Sequence, residues 1–372
     1  CELTRLLVKE GAAVYPVMTK SATEFRTPMT LSALSSNETG YDMFNSGRIS
    51  HIDLTDSADL IVVAPATANI IGKIAGGIAD DLPTSLIMAA NQPVILAPAM
   101  NTRMYKNEIV QENMRKLSAL GYGFIDPGTG ELACGWEGTG RLAEPEDIVE
   151  AIRESLSEKD LAGEKVLVTA GATREPIDPV RFLSNASSGK MGYAIARAAK
   201  RRGAEVVLVS GTSTLRKPPG VDLVKVETSE EMHGSVASHY PQSTVVIMAA
   251  AVSDFRPLNV SKKKIKKIAA ELELKLERAP DILKGLGEKK SSQILVGFAL
   301  ESSELIENAT KKLKSKNLDM VVANTPAALS KETNEVTFIL SDGRAEPQKD
   351  LPKAEVADKI LNRVVSIRSK RS

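Results

Sequence analysis

Three features of the sequence predict an α/β protein of two domains. Strand-length apolar runs at 59–64, 93–97, 165–170, 205–210, 244–248, 294–299 and 320–324 are continuous rather than alternating, as in parallel strands buried on both faces. Amphipathic helical stretches separate them. The alternation breaks once, over the polar and aperiodic stretch 157–163, and then restarts. The domains are therefore 1–157 and 158–372, each long enough to bury a core of its own.

In chain order, residues 2–10 read as a helix stopped by Gly11, and 13–19 as a buried strand. Ser21 with Glu24 fits a capping box that opens a short helix. A strand over 59–64 is stopped by Pro65, and 66–79 is small and apolar. Asp80 and Asp81 open a helix through Ala90, a strand covers 93–97, and helices follow at 107–120 and 146–156. The second domain reads as strand 165–170, helix 192–202, strands 205–210 and 221–226, a helix from Ser229, and strand 244–248. It continues with strand 294–299, helix 303–314, strands 320–324 and 335–340, and a closing helix 353–368. Ligands in such sheets sit beyond the carboxyl ends of the strands, so the loops after strands are where chemistry is expected.

Composition narrows the class. The net charge of +1 gives no general reason to expect nucleic acid or an anionic membrane as partner. Two cysteines, Cys1 and Cys134, cannot build a disulfide framework, and a reducing cytoplasm is the expected setting. No apolar run approaches the roughly 20 residues that span a bilayer. The chain opens without methionine and directly in helical sequence, the pattern of a truncated start.

In the first domain two post-strand loops match: Ala64-Pro65-Ala66-Thr67-Ala68-Asn69 and Ala97-Pro98-Ala99-Met100-Asn101. Their prolines stiffen the chain, their alanines admit a flat ligand, and Asn69 and Asn101 present amides suited to a heterocycle edge or a carboxylate. An asparagine in such a place is ordinarily a turn or cap residue. His51 lies in a polar segment before a strand, where a lone histidine is more often a surface residue than a catalytic one. Cys134 stands in the glycine-dense stretch 130–141, a place that suits reactivity better than packing. No Cys/His cluster has metal-ligand spacing.

These residues, in this order, resemble the flavin-dependent cysteine decarboxylases, in particular the phosphopantothenoylcysteine decarboxylase half of the bacterial bifunctional coenzyme A biosynthesis proteins. The resemblance implies a flavodoxin-like or Rossmann-like domain with FMN near Ser21, Phe25, Thr67 and Asn69. It also implies that His51 orients or deprotonates the substrate, Asn101 holds its carboxylate and Cys134 donates the final proton. Flavin chemistry would oxidise the cysteinyl thiol so that electrons released with carbon dioxide have an acceptor. That family also has a strand and a glycine-rich turn before the helix matching 2–10, and both are absent from this sequence.

In the second domain the stretch 177–192, I-D-P-V-R-F-L-S-N-A-S-S-G-K-M-G, joins a strand to a helix. It is neither a Walker A loop, because Met191 follows Lys190, nor a dinucleotide fingerprint. Ser187 to Lys190 at a helix start suit a phosphate, from either a nucleotide or a second substrate. Further post-strand loops carry Ala249, Ala250, Ala251 and Asp254, then the lysines 262–264, 266 and 267. Such a run is ordinarily a solvated face, yet its place directly after Asp254 suggests a cationic lid for polyphosphate. Pro280, Asp281, Ile282 and Leu283 open a helix, Phe298 ends a strand, and Lys312 and Lys316 share a helix face.

Together these segments resemble phosphopantothenate–cysteine ligase, the partner half of the same bifunctional family, so the resemblance spans the whole chain. It implies a Rossmann-like ligase domain that binds CTP through Ala249–Ala251, Asp254, Lys264, Pro280–Leu283, Phe298, Lys312 and Lys316. Arg181 and Asn185 would handle the 4′-phosphopantothenate carboxylate or its activated form, and Lys264 would offset charge during its attack on the α-phosphate. Mg²⁺ is expected on the triphosphate rather than on protein ligands, and L-cysteine would displace CMP. Dimeric ligase domains and trimeric decarboxylase domains are implied, allowing a dodecamer. Two other readings stay open: a ligase with a flavin-free scaffold as first domain, and a non-catalytic regulatory flavoprotein.

Overall fold

The computed structural model describes residues 1–42, 51–131, 137–266, 272–326, 331 and 333–371, with the side chains of 51–53, 131 and 137 outside that description. Two compact units result, Cys1–Ser157 and Glu158–Ser372, each α/β.

The first unit opens with helix α1 (Glu2–Lys9), the single turn α2 (Lys20–Thr23), α3 (Pro28–Ser35) and α4 (His51–Ser57). Strand β1 (Ile61–Ala66), helices α5 (Ala68–Gly76) and α6 (Leu82–Ala89), and strand β2 (Val94–Pro98) follow. Then come α7 (Thr102–Tyr105), α8 (Glu108–Ala119), β3 (Gly123–Phe124), the hairpin strands β4 (Gly128–Glu131) and β5 (Glu137–Arg141), and α9 (Pro145–Leu156). β1, β2 and β3 form a parallel sheet in that order. β2 is buried along its whole length and feeds a core on each face. Leu96 packs with Ile71 and Ile74 of α5 and Leu117 of α8. Ala97 faces Ile148 and Ile152 of α9, against which Leu3 and Leu7 of α1 also pack.

Several expectations for this unit are corrected. Residues 13–19 are not a strand: extended chain becomes one only when paired, and among the described residues its one bridge is Val17 to Gly40. The cap of α2 is Thr19, not Ser21, because Thr19 is the extended residue whose Oγ1 reaches the Ala22 N–H at 3.2 Å. Pro65 does not stop β1; a register shift between Val63 and Ala66 absorbs it. His51 begins a helix rather than preceding a strand directly, and the small, apolar stretch 66–79 holds the helix Ala68–Gly76.

The second unit runs β6 (Lys165–Ala170), β7 (Arg174–Pro176), β8 (Phe182–Ser184), α10 (Lys190–Arg201), β9 (Glu205–Ser210), β10 (Asp222–Lys225), α11 (Ser229–His239) and β11 (Val245–Met248). It continues β12 (Phe255–Pro257), β13 (Leu276–Arg278), α12 (Ile282–Glu288), β14 (Ile294–Leu300), α13 (Leu305–Ser315), β15 (Met320–Asn324), β16 (Thr333–Leu340), β17 (Ala345–Pro352) and α14 (Lys353–Ser369). Eight strands form one sheet in the order β10-β9-β6-β11-β14-β15-β16-β17. The first six are parallel, and β16 and β17 add an antiparallel edge.

Of that edge, the strand read at 335–340 is β16, whereas β17 was not read from the sequence. β17 was invisible to pattern because Ala345-Glu346-Pro347-Gln348-Lys349-Asp350-Leu351-Pro352 is polar and holds two prolines. An outermost strand tolerates both, since its outer edge needs no ladder donors and charge discourages pairing with another chain.

Alternate residues of the central strands feed opposite faces. Val166 and Val168 pack under Ile195 of α10 and Ile360 of α14, whereas Leu167 joins Met232 of α11 and Leu283 of α12. Each such side chain contributes about 1.5–3 kcal/mol by burial. The chain runs from β6 outward to β9 and β10, then returns to β11 and proceeds the other way, so the switch point lies between β6 and β11.

α10 presses on β6 because Gly192 has no side chain: a Cβ there would lie 2.5 Å from Ala170 Cβ and 2.7 Å from the Thr169 carbonyl. Gly192→Ala is expected to cost about 1–3 kcal/mol, since a carbonyl must move to admit the methyl. Thermal denaturation should show the lowered midpoint, and an unchanged one would mean the helix is free to retreat.

Candidate functional site

In the second unit the loops on either side of the switch point are bonded to each other. The Ala251 N–H donates to the Gly171 carbonyl at 2.9 Å, and residues 172 and 251 form a parallel bridge. Thr169 Oγ1 accepts the Ala250 N–H at 3.1 Å, and Thr173 Oγ1 accepts the Ser253 N–H at 3.0 Å. Asn185, exposed at the end of β8, donates from Nδ2 to the Ala251 carbonyl at 3.2 Å. Sequence-distant candidates thus meet at one carboxyl edge. α10 begins there at Gly189, whose φ of +81° only glycine adopts readily, and no side chain caps the helix.

The lysine segment is hydrogen-bonded at two points to the turn that follows β7. The Ser261 N–H donates to the Ile177 carbonyl at 3.0 Å, and the Ile265 N–H to Asp178 Oδ2 at 3.1 Å. Arg181 also turns to this segment: its Nη2 donates to the Ile265 carbonyl at 2.5 Å and its Nε lies 3.3 Å from Asp178. Lys262, Lys263 and Lys264 are exposed between these fastenings, and Lys267 lies outside the described residues. Asp178 is a site residue that motif reading missed. Burial opposes its ionisation, but the N–H groups of Val180, Ile265 and Arg181, and then the Arg181 charge, hold its carboxyl below the ordinary range. The signal was available in Asp178-Pro179, a usual turn opener.

A second cluster sits at the ends of β11 and β14. Lys312, on α13, donates from Nζ to the Phe298 carbonyl at 2.7 Å. Burial and the neighbouring Lys316 push its ammonium below the ordinary lysine value, while Glu301, Asp281 and Asp254 pull the other way. Lys316 pairs with Asp281 at 2.8 Å, and Asp281 caps α12 by accepting the Lys284 N–H at 3.0 Å. The Asp254 carbonyl accepts the Ala279 N–H at 2.9 Å, which joins the loop of Asp254 to Pro280. A desolvated ammonium bonded to a carbonyl, not a carboxylate, is suited to an incoming anion. Ile282 and Leu283 turn their side chains into the core, so only their backbone faces the site. Phe298 is half-buried against the opposite core face.

In the first unit, the Ala99 N–H donates to the Ala66 carbonyl at 3.0 Å and brings the loops of Thr67 and Asn101 side by side. Thr67 caps α5 and Asn101 caps α7, its Oδ1 accepting the Arg103 N–H at 2.9 Å. Asn69 is exposed beside Thr67. The Met100 N–H donates to the Gly140 carbonyl at 2.9 Å, and a Cβ at Gly140 would lie 2.2 Å from the Met100 carbonyl. Strand β5 of the glycine-rich hairpin therefore lies directly on the Asn101 loop. Ser21 is exposed on α2, and Phe25 follows it at 79% exposure. The Phe25 N–H donates to the Ala22 carbonyl at 3.1 Å, and the Phe25 carbonyl accepts Arg26 Nη1 at 2.9 Å. Cys134 and the His51 side chain lie outside the described residues.

Residues 1–157 match the family described as Flavoprotein, and residues 161–367 match the C-terminal domain of the DNA/pantothenate metabolism flavoproteins. The chain is 47% identical to the coenzyme A biosynthesis bifunctional protein CoaBC of Bacillus subtilis (strain 168), over 99% of this chain and 93% of that one. The chain belongs to the family of bifunctional coenzyme A biosynthesis proteins. A cysteine/cysteine sulfinic acid decarboxylase of an unknown prokaryotic organism is 44% identical over 92% of this chain and 99% of its own. The crystal structure of the C-terminal domain of a CoaBC protein matches with a TM-score of 0.51 at 45% identity, covering 57% of this chain and all of that domain.

The Asp281–Lys316 pair has a definite acid response. Burial resists ionisation of Asp281, but the hydrogen bonds from Lys316 and the Lys284 N–H outweigh it and lower its pKa from 3.8. The pair's stabilisation is therefore full above that pH and fades as pH falls through the folded-state value. Because Asp281 is 48% exposed, Asp281→Asn is expected to cost under about 1 kcal/mol at pH 7. Urea midpoints should show that gap closing toward pH 3; an equal gap at both pH values would refute the assignment.

Proposed function

We propose that the chain carries both activities of its family: CTP-dependent ligation of 4′-phosphopantothenate with L-cysteine, then FMN-dependent decarboxylation of the product to 4′-phosphopantetheine. The observation that carries the reading is the carboxyl edge of the second sheet. There Asn185 bonds the Ala249–Ala251 loop beside the switch point, the lysine segment is bonded to the turn that leads to Asn185, and Lys312, Lys316, Asp281 and Asp254 cluster at the ends of β11 and β14.

In the ligase half, Lys312, Lys316 and Lys264 would meet the triphosphate, with Mg²⁺ arriving on the phosphates. Among the described residues no group of three or more His, Cys, Asp or Glu side chains could hold a metal. The uncapped first turn of α10 would take a phosphate of either substrate. Asn185 and Arg181 would orient the carboxylate as its oxygen attacks the α-phosphorus and pyrophosphate leaves. Lys264 offsets the charge developing there, and the amine of cysteine then attacks the acyl carbon and expels CMP.

In the decarboxylase half, the donor set suits FMN: exposed Ser21, Thr67 and Asn69 can bond a ring edge or phosphate, and exposed Phe25 can cover a flat face. Bound FMN supplies the two-electron redox chemistry at the cysteinyl group. Asn101 would hold the carboxylate, His51 would orient or deprotonate the substrate, and Cys134 would give the last proton. Loss of carbon dioxide from free cysteine without phosphopantothenate would favour the narrower activity named for the second relative.

Self-association fits the surface. Val180, Phe182, Phe255, Leu258, Val260 and Leu276 expose apolar area on and beside the two small antiparallel pairs β7–β8 and β12–β13, which adjoin through β7 and β12. A second ligase unit would cover it, and trimeric decarboxylase units would extend the assembly to a dodecamer. No described helix is long and apolar enough to cross a membrane, and the proposed setting is the cytoplasm.

Mass spectrometry of products with CTP against ATP, with identification of bound flavin, tests the whole reading; no CTP-dependent pyrophosphate release would remove it. Lys264→Ala is expected to slow acyl-cytidylate formation about 10²-fold or more. An unchanged rate would leave the lysines as a solvated face. Cys134→Ser should leave ligation intact and stop phosphopantetheine formation, and a normal yield would exclude Cys134 as the proton donor.

A further inference from the structure

We infer that Asp178 is a positioning residue for acyl activation: with Arg181 it clamps both backbone groups of Ile265 and so fixes the chain beside Lys264. The inference rests on the ligase reading above. The Asp178 side chain is fully buried, and four donors converge on it. Oδ1 accepts the N–H groups of Val180 at 2.8 Å and Arg181 at 2.9 Å. Oδ2 accepts the Ile265 N–H at 3.1 Å and faces Arg181 Nε at 3.3 Å. A buried carboxylate is tolerated only when so satisfied. Arg181 Nη2 then takes the Ile265 carbonyl at 2.5 Å.

The lysine loop is thereby closed at both ends onto one turn, at Ser261 by the Ile177 carbonyl and at Ile265 by the clamp. Lys262, Lys263 and Lys264 occupy the span between. The same turn leads through β8 into Asn185, which holds Ala251. One ribbon thus sets the lysine loop and the substrate-facing asparagine in a common frame, so the ordering cost of bringing Lys264 to the phosphate is met before substrate arrives. An amide cannot replace the carboxylate. All partners of Asp178 donate, and an asparagine in its place would have to turn an N–H toward one of them.

The test uses the full-length protein with Asp178→Asn, Lys264→Ala and the double variant. Trypsin cleavage after Lys262, Lys263 and Lys264, followed by mass spectrometry, is expected to be about tenfold faster in Asp178→Asn, because a released loop opens locally more often. An unchanged cleavage rate overturns the clamp. In pyrophosphate release from CTP and phosphopantothenate, Asp178→Asn should lower kcat about tenfold with KM for CTP nearly unchanged. In the Lys264→Ala background it should add almost nothing, because both changes remove one contribution. A full additive loss would mean that Asp178 acts on the fold rather than through Lys264, and would overturn the positioning role. Should Asp178→Asn fail to fold, Arg181→Gln removes the carbonyl arm and is read by trypsin cleavage alone, because Arg181 is also proposed to face the substrate carboxylate; an unchanged cleavage rate there overturns the clamp. Absence of pyrophosphate release in the unmodified protein would sink the ligase reading, while the cleavage comparison would still decide the clamp.

Discussion

The site in the second unit depends on how closely α10 approaches the end of β6. Gly192 lets the helix rest on Ala170 and Thr169, and a Cβ at Gly189 would stand 3.1 Å from the Gly171 nitrogen. A Cβ at Gly211, at the end of the neighbouring β9, would stand 2.4 Å from the Ala172 carbonyl. With side chains at Gly189 and Gly192 the helix would have to withdraw, and with one at Gly211 the chain at Ala172 would have to move. The close approach also lets residues 172–185 leave the sheet as a ribbon and cross to the Ala251 loop, where Asn185 and Thr173 are bonded.

Charge in that crevice follows a consistent logic. Lys312 is held by a carbonyl and Lys262–Lys264 lie on an exposed span, whereas Lys316 is paired with the Asp281 carboxylate. Two buried carboxylates are instead met by several donors. Asp178 is saturated by donors, and Asp319, 4% exposed, faces Lys290 at 2.9 Å and accepts the Leu295 N–H at 2.8 Å. The contrast is between cations left on the surface or on a carbonyl and buried carboxylates that need every partner.

The first unit uses the same device with different chemistry. Two parallel strands end in loops bonded at Ala66 and Ala99, and the caps Thr67 and Asn101 start short helices there. Asn101 fills the ordinary role of a post-strand asparagine: its Oδ1 serves as a cap, which fixes the plane of its amide. Glycines again decide the approach, since Gly138 and Gly140 let the hairpin lie on residues 100–102.

Sequence alone determined the α/β class, the break near residue 157, and most central strands, because a strand buried on both faces must be continuously apolar wherever it occurs. It also singled out the loops after those strands, where asparagine, lysine and aspartate gather, as the places to expect chemistry. It missed β17, whose prolines and charges are tolerable only at an edge, and it misread 13–19, where among the described residues an apolar run pairs only at Gly40. Only the tertiary structure showed that Arg181 is turned toward Asp178 and Ile265, and that the lysines hang from a fastened loop. These contacts join positions more than 80 residues apart. Local pattern carries no record of them, because the partner that satisfies a buried carboxylate is chosen by packing and not by sequence spacing.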